Sequence, residues 1–370
     1  MRVLVAFDKF KDALTARAAS EAAASALRAK HPDWTLDLCP LTDGGEGFCE
    51  TLTAAASGRL EPMNVSGPRG GIISAPIGRV DSARLPPSVR ARLNLKPGGT
   101  LAIIGLASAS GLELLPRSQR DPWLTTTYGT GEQIRAAAQA GADAILLGLG
   151  GSATNDLGLG ALAALGFKFA HVPVPARWAQ INRLEGCAEL PPSFIACDVT
   201  NPLLGPRGAT ATFGPQKGLK PAEVPRLEAE MARLAALLCE ACGQPLSLAD
   251  TPGAGAAGGI AFGLMVATGA KLVPGFDLVS DWLDLPARLA AADLVITGEG
   301  RFDATSLAGK GPGSLVREAR QLGKSAHVFA GSLGVPADAR HHAITPPGLP
   351  LAEALPRTAE LLAAAVRDAL

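Results

Sequence analysis

An excess of charge of either sign is missing from this sequence: 34 Lys and Arg balance 34 Asp and Glu, for a formal net charge of +0. With no basic block either, the electrostatic footprint of a nucleic-acid or acidic-membrane partner is absent, and both classes are set aside. Aromatic residues are scarce, at 4% with a single tyrosine, so the core must rest on aliphatic side chains and alanine. The 6 cysteines are scattered, at 39, 49, 187, 197, 239 and 242. That excludes a disulfide-framed secreted scaffold and points to a reduced, cytoplasmic chain. Cys239 and Cys242 form a lone CxxC in an Ala/Leu-rich stretch and are read as core packing. The 5 histidines lack metal-ligand spacing, and His341 and His342 are read as facing solvent. Long apolar runs are missing too. The longest, residues 253–270, is broken by six glycines and lacks flanking anchors, so it is not read as a membrane span. The opening Met1-Arg-Val-Leu-Val-Ala-Phe is a strand pattern without a signal-peptide core or cleavage site.

What is present is hydrophobic residue at 47% over 370 positions, enough for about two domains with real cores. Short runs of Val, Ile, Leu and Phe alternate with Ala-rich helical segments, the pattern of an α/β fold with largely parallel strands. Strands are expected at 2–7, 36–39, 101–104, 144–148, 194–197, 294–297 and 327–330. Helices are expected at 15–30, 45–56, 131–140, 157–165, 222–241, 259–267, 313–322 and 352–370. Residues 64–80 alternate and are broken by Gly-Pro and Gly-Gly, hence a twisted hairpin. The change of texture near 60 and a fresh βα start after 285 divide the chain into a discontinuous domain, 1–60 with 285–370, and an inserted domain, 61–284. A simple split into two halves is the competing organisation.

Open α/β sheets bind ligands beyond the carboxyl ends of their strands, and four such places carry polar groups. Asp8, Lys9 and Lys11 follow the first strand and suit a phosphate or a carboxylate. Asp43, Gly44, Gly45 and Glu46 follow the second, where paired glycines permit a tight turn that presents both acids. Gly150, Gly151, Ser152, Ala153, Thr154, Asn155 and Asp156 follow the buried run at 144–148. Small residues there let backbone N–H groups approach an anion, with hydroxyl and amide donors added. Glu299 and Asp303 offer the hard oxygen ligands that Mg²⁺ prefers, with Lys310 seven residues beyond Asp303. Asp198, at the end of the strand 194–197, reads as a helix cap or a base.

Two familiar strings fail in context. Gly323-Lys-Ser resembles the end of a P-loop, but residue 318 is Glu where glycine is required. Residues 253–258 spell GxGxxG, yet Ala-Asp-Thr-Pro precedes them where a strand is needed. A nucleophile elbow, G-x-S-x-G after a strand, is absent.

Taken together, the segments 8–15, 40–47, 126–132, 150–156, 198–205, 213–218, 255–259 and 297–310 resemble the bacterial glycerate kinase family, of the type that makes 2-phosphoglycerate. The resemblance implies a flavodoxin-like domain formed by both chain ends, an inserted second α/β domain, ATP as co-substrate with Mg²⁺, and D-glycerate as the small-molecule acceptor. It further implies Mg²⁺ near Glu299 and Asp303, an anion on residues 150–155, and charge neutralisation by Lys9 or Lys11. Lys11 is preferred because it fills the family's lysine position. Asp43 or Asp198 would take the hydroxyl proton. A homodimer is the candidate assembly. Departures from the family pattern are Asp12 and Leu157, where glycine is usual, and Thr305, where glutamine is expected. The competing functions are a nicotinamide-dependent oxidoreductase using residues 253–258 and a non-catalytic sensor of a hydroxy acid.

Overall fold

Val3, Leu4, Val5, Ala6 and Phe7 are all unexposed, the continuous apolar run of a strand covered on both faces. They form the strand Arg2–Phe7 at the heart of a five-stranded sheet. The computed structural model describes residues 1–308, 311–336 and 338–370; Lys310 lies outside the described residues. The sheet runs His341–Ala343, Ser325–Gly334, Leu294–Asp303, Arg2–Phe7, Thr35–Leu38, with every neighbouring pair parallel. Numbered within this part of the chain, that order is 2-1-3-4-5 from one edge, the flavodoxin-like arrangement. Helix Ala16–Lys30 lays an alanine stripe on the sheet, with Ala19, Ala23 and Leu27 unexposed. The Thr15 hydroxyl caps it by accepting from the Ala18 N–H at 3.1 Å. The C-terminal helix Thr358–Ala369 packs into the same core through Leu361, Leu362 and Val366.

Three local expectations are corrected here. The helix expected over 352–370 is broken into Leu351–Ala354, a 3₁₀ turn Leu355–Arg357 and Thr358–Ala369, because Pro356 has no N–H to continue the ladder. The strands expected to end at 297 and 330 run on to Asp303 and Gly334, pairing Arg301 with Ser332 and Phe302 with Leu333. The glycines that suggested a loop serve close strand approach instead. A Cβ on Gly298 would lie 1.7 Å from the Phe329 carbonyl oxygen, and one on Gly331 2.4 Å from that of Gly300. The paired histidines sit on the edge strand and turn inward. The His341 side chain is 6% exposed and meets the Phe302 ring edge-on. His342 stacks on Phe329 and shares a 3.0 Å hydrogen bond with His327.

The second sheet has six strands in the order Lys271–Pro274, Ser193–Cys197, Ala144–Gly148, Thr100–Gly105, Ile72–Asp81, Arg59–Ser66. The first four are parallel, and the last two form the antiparallel hairpin. The chain divides into two compact units, 1–43 with 279–370 and 44–278. The second unit starts ahead of the texture change at 60 because helix Phe48–Ala55 packs on its sheet. The Cys49 thiol donates to the Ile103 carbonyl at 3.2 Å, and a Cβ on Gly78 would collide with the Thr53 hydroxyl. Cys239 is buried on helix Val224–Cys242, as core packing requires. Among the described residues, no helix is long and apolar enough to cross a membrane.

Candidate active site

In the first unit the strand order reverses between Arg2–Phe7 and Leu294–Asp303, so ligands are expected beyond the carboxyl ends of these two strands. Phe7 pairs with Gly298, and the Asp8 N–H donates to the Gly298 carbonyl at 2.9 Å. Asp8 and Glu299 therefore leave adjacent strands side by side. The Leu41 N–H donates to the Phe7 carbonyl at 2.8 Å, which brings the segment ending in Asp43 to the same edge. Asp8 Oδ1 accepts from the Lys9 N–H at 2.7 Å. Burial pushes the Asp8 carboxyl up to about 7; the charges of Asp43 and Glu299 add to the rise, and that of Lys9 opposes it. Glu299 is raised too, chiefly by burial, with Asp303 and Asp43 adding to it and a hydrogen bond with Ser306 working against it.

This arrangement tests whether the residues suit a divalent cation. Four carboxylates, Asp8, Asp43, Glu299 and Asp303, influence one another here, and Glu299 Oε1 is buried without a hydrogen-bond partner among the described residues. A hard cation relieves both conditions, so the donor set fits Mg²⁺. Among the described residues, no three His, Cys, Asp or Glu stand at metal-ligand spacing. Mg²⁺ commonly takes one or two carboxylates and completes its shell from waters and phosphate oxygens. Asp303, expected as the second ligand, has its carboxylate 3.0 Å from Arg301 Nε, and its N–H donates to Ser306 Oγ. Asp8 and Asp43 join Glu299 and Asp303 in this group of acids. Lys9 is half-buried beside Asp8, whereas Lys11 is exposed. Its backbone nitrogen lies close against Gly300, where an added Cβ would sit 3.2 Å away. Asp12 turns this loop at φ +60°.

In the second unit the fully buried strand Ala144–Gly148 delivers the glycine-rich loop. The Gly150 N–H donates to the Gly44 carbonyl at 2.8 Å, and a Cβ on Gly150 would fall 2.4 Å from Gly45 Cα. Both segments are glycine because their backbones touch. The Glu46 carboxylate rests on Gly151, where a side chain would meet Oε1 at 2.1 Å. The Ala153 N–H donates to the Ser110 carbonyl at 2.9 Å and fixes the middle of the loop. Asn155 Nδ2 donates to Thr210 Oγ1 at 3.1 Å. Asn155 Oδ1 and Thr154 Oγ1 are buried with no partner among the described residues.

Asp156 is unexposed and accepts from Thr127, Gly158 and Gly160. It organises the start of helix Leu159–Ala164, which opens only after the loop has turned away. Asp198 follows the strand Ser193–Cys197 and accepts from the Phe276 N–H at 2.8 Å, at the start of helix Gly275–Trp282.

Sequence reasoning missed Lys217. It is 1% exposed, and its ammonium donates to Ser152 Oγ at 2.8 Å and to the Thr154 carbonyl at 2.6 Å. The only signal was its place in the segment 213–218, where a lysine between polar and glycine neighbours reads as surface. The GxGxxG string also finds its use here. A Cβ on Gly258, at φ +73°, would lie 2.1 Å from the Thr154 carbonyl oxygen and 2.5 Å from Asn155 Cα. The glycines let this segment pass against the back of the loop.

Known proteins resemble this chain along nearly its whole length. A family profile described as glycerate kinase family matches residues 3–370. The chain is 39% identical over 345 residues to the glycerate kinase of Haemophilus influenzae, covering 90% of this chain and 86% of that one. It is 37% identical over 344 residues to the glycerate 2-kinase of Escherichia coli K12, with coverage of 90% and 86%. A crystal structure described as "putative glycerate kinase 2 from Salmonella typhimurium LT2" superposes with a TM-score of 0.75 at 36% identity, covering 100% of this chain and 96% of that one.

Proposed function

Since the chain belongs to the glycerate kinase family, we propose that it transfers a phosphoryl group from ATP to the 2-hydroxyl of D-glycerate, giving 2-phosphoglycerate and ADP. The enzyme is a phosphotransferase with an alcohol group as acceptor. The observation that carries the fuller reading is the trio Asp8, Asp43 and Glu299 at the switch point, with an unpartnered buried oxygen on Glu299. Phosphoryl transfer needs in-line positioning, neutralised charge and an acceptor for the hydroxyl proton.

Asp8 and Glu299 would hold Mg²⁺, which supplies charge neutralisation at the phosphates when bound. Asp43 is exposed, and its carboxylate would accept the hydroxyl proton. Asp198 is the weaker candidate for that role, because its carboxylate already serves the Phe276 N–H. Lys11 and Lys9 would steady the anionic groups, and residues 150–155 would supply N–H and hydroxyl donors to a carboxylate or a phosphate. All six cysteines are free, as in a reducing, cytoplasmic setting.

Phosphorus NMR on protein incubated with D-glycerate, ATP and Mg²⁺ identifies the product directly; 2-phosphoglycerate is expected. Asp43→Asn and Lys11→Ala should each lower kcat/KM by on the order of 100-fold. Asp198→Asn should act mainly on stability. Wild-type kcat/KM in all three variants would overturn the residue assignment.

A further inference from the structure

An ammonium group has three donors, and burial makes each unspent one costly. Lys217 spends two of its three on one loop, and it has no further hydrogen-bond partner among the described residues. Its depth separates it from an ordinary surface lysine, since only 1% of the residue is exposed. Burial lowers the pKa of the lysine, and the charge of Asp156 works against that lowering. The two acceptors are not equivalent. A serine hydroxyl that accepts from an ammonium must aim its own hydrogen elsewhere. In a trans peptide the carbonyl and the following N–H point in opposite directions, and no cis peptide occurs among the described residues. Holding the Thr154 carbonyl from behind therefore turns the Asn155 N–H away from the lysine. A further hydroxyl of the same loop, Thr154 Oγ1, is buried and unpartnered among the described residues, so it has a hydrogen left to offer a ligand.

We propose that Lys217 is the positioning residue of the glycine-rich loop: from beneath, it fixes the Ser152 hydroxyl and the Thr154–Asn155 peptide so that both present hydrogens to an anionic oxygen group of a reactant. The proposal rests on the kinase reading above and deepens it. The shared chemistry is an anion, either the carboxylate of the hydroxy acid or a phosphate of the nucleotide. Lys217 does not touch the reactant; it acts through Ser152 and the Thr154–Asn155 peptide.

The test is a double-mutant cycle with Lys217→Met and Ser152→Ala in the full chain, using glycerate-dependent ATP consumption. Lys217→Met should lower kcat/KM by on the order of 10- to 100-fold, the range of a lost charge-assisted hydrogen bond. The KM that rises, for D-glycerate or for ATP, identifies the anion. Ser152→Ala should cost less, because the Thr154–Asn155 peptide stays held, and the double variant should be no worse than Lys217→Met alone, because the hydroxyl is aligned only while the lysine holds it. Lys217→Gln keeps an N–H donor and should recover part of the loss; it also serves if the methionine variant does not fold. Losses that multiply in the double variant, or kcat/KM within twofold of wild type for a folded Lys217→Met, overturn the proposal. A wild-type protein that consumes no ATP with glycerate and Mg²⁺ would instead overturn the kinase reading itself.

Discussion

Oδ2 of Asp156 accepts both the backbone N–H and the hydroxyl of Thr127, each at 2.8 Å. The N–H groups of Gly158 and Gly160 complete its partners at 3.2 and 3.3 Å. An acid at the end of a glycine-rich loop is thus turned into the fold. Desolvation raises its pKa, and the four donors oppose that rise by favouring the charged form.

Removing this carboxylate strands several buried donors and takes away the counter-charge of Lys217. Asp156→Ala is expected to cost on the order of 3 kcal/mol, lowering the melting temperature by on the order of 10 °C. Asp156→Asn keeps one acceptor and should lose less. Thermal melts followed by circular dichroism decide the matter: a shift under about 2 °C for the alanine variant would show that the network contributes little.

Asp8 predicts a pH signature. A carboxyl whose pKa is higher in the folded chain than in the unfolded one binds its proton more tightly when native. Its contribution is complete below the unfolded value, near 3.8, and is lost as pH rises through about 7. In chelator, Asp8→Asn should therefore melt about 2–4 °C higher than wild type at pH 8, with no gain at pH 4. The same variant should lose on the order of 100-fold in Mg²⁺-dependent activity. A variant less stable than wild type at pH 8 would refute the crowded-acid account.

Asp12 and Leu157, the two positions where this sequence departs from the family's glycine, both have left-handed backbones, at φ +60° and +57°. A side chain there costs about 1–2 kcal/mol, less for aspartate. Exposed Asp12 makes a clean case: Asp12→Gly should raise the melting temperature by about 1–2 °C. Leu157 is 0% exposed in the core of the second unit. Leu157→Gly releases the strain but empties a packed site, for a net loss of about 2 kcal/mol or more. Shifts of the same sign in the two variants would contradict this account.

Periodicity made the elements with strong apolar patterns readable. The strands Arg2–Phe7 and Ala144–Gly148 and the helix Ala16–Lys30 fall within a residue of expectation, because their burial is written in consecutive Val, Ile, Leu and Ala. The extension of Leu294–Asp303 was hidden, since Gly298-Glu-Gly-Arg has no apolar alternation and pairs only because the neighbouring strand presents matching glycines. Residue type and strand ends brought Asp8, Asp43 and Glu299 forward as separate candidates. Their mutual influence comes from a sheet order that joins residues nearly 300 positions apart. Lys217 was out of reach because nothing local distinguishes a buried lysine from a solvated one.

Because strand Arg2–Phe7 lies between Thr35–Leu38 and Leu294–Asp303, it cannot gain its second neighbour until roughly 250 further residues have been made. At ordinary translation speeds that is on the order of 10–50 s. During that interval residues 44–278 emerge from the ribosome as one uninterrupted piece. The nascent amino-terminal segment, with Val3, Val5 and Phe7, meanwhile keeps an open β edge, so chaperone demand should peak before the last quarter of the message is read.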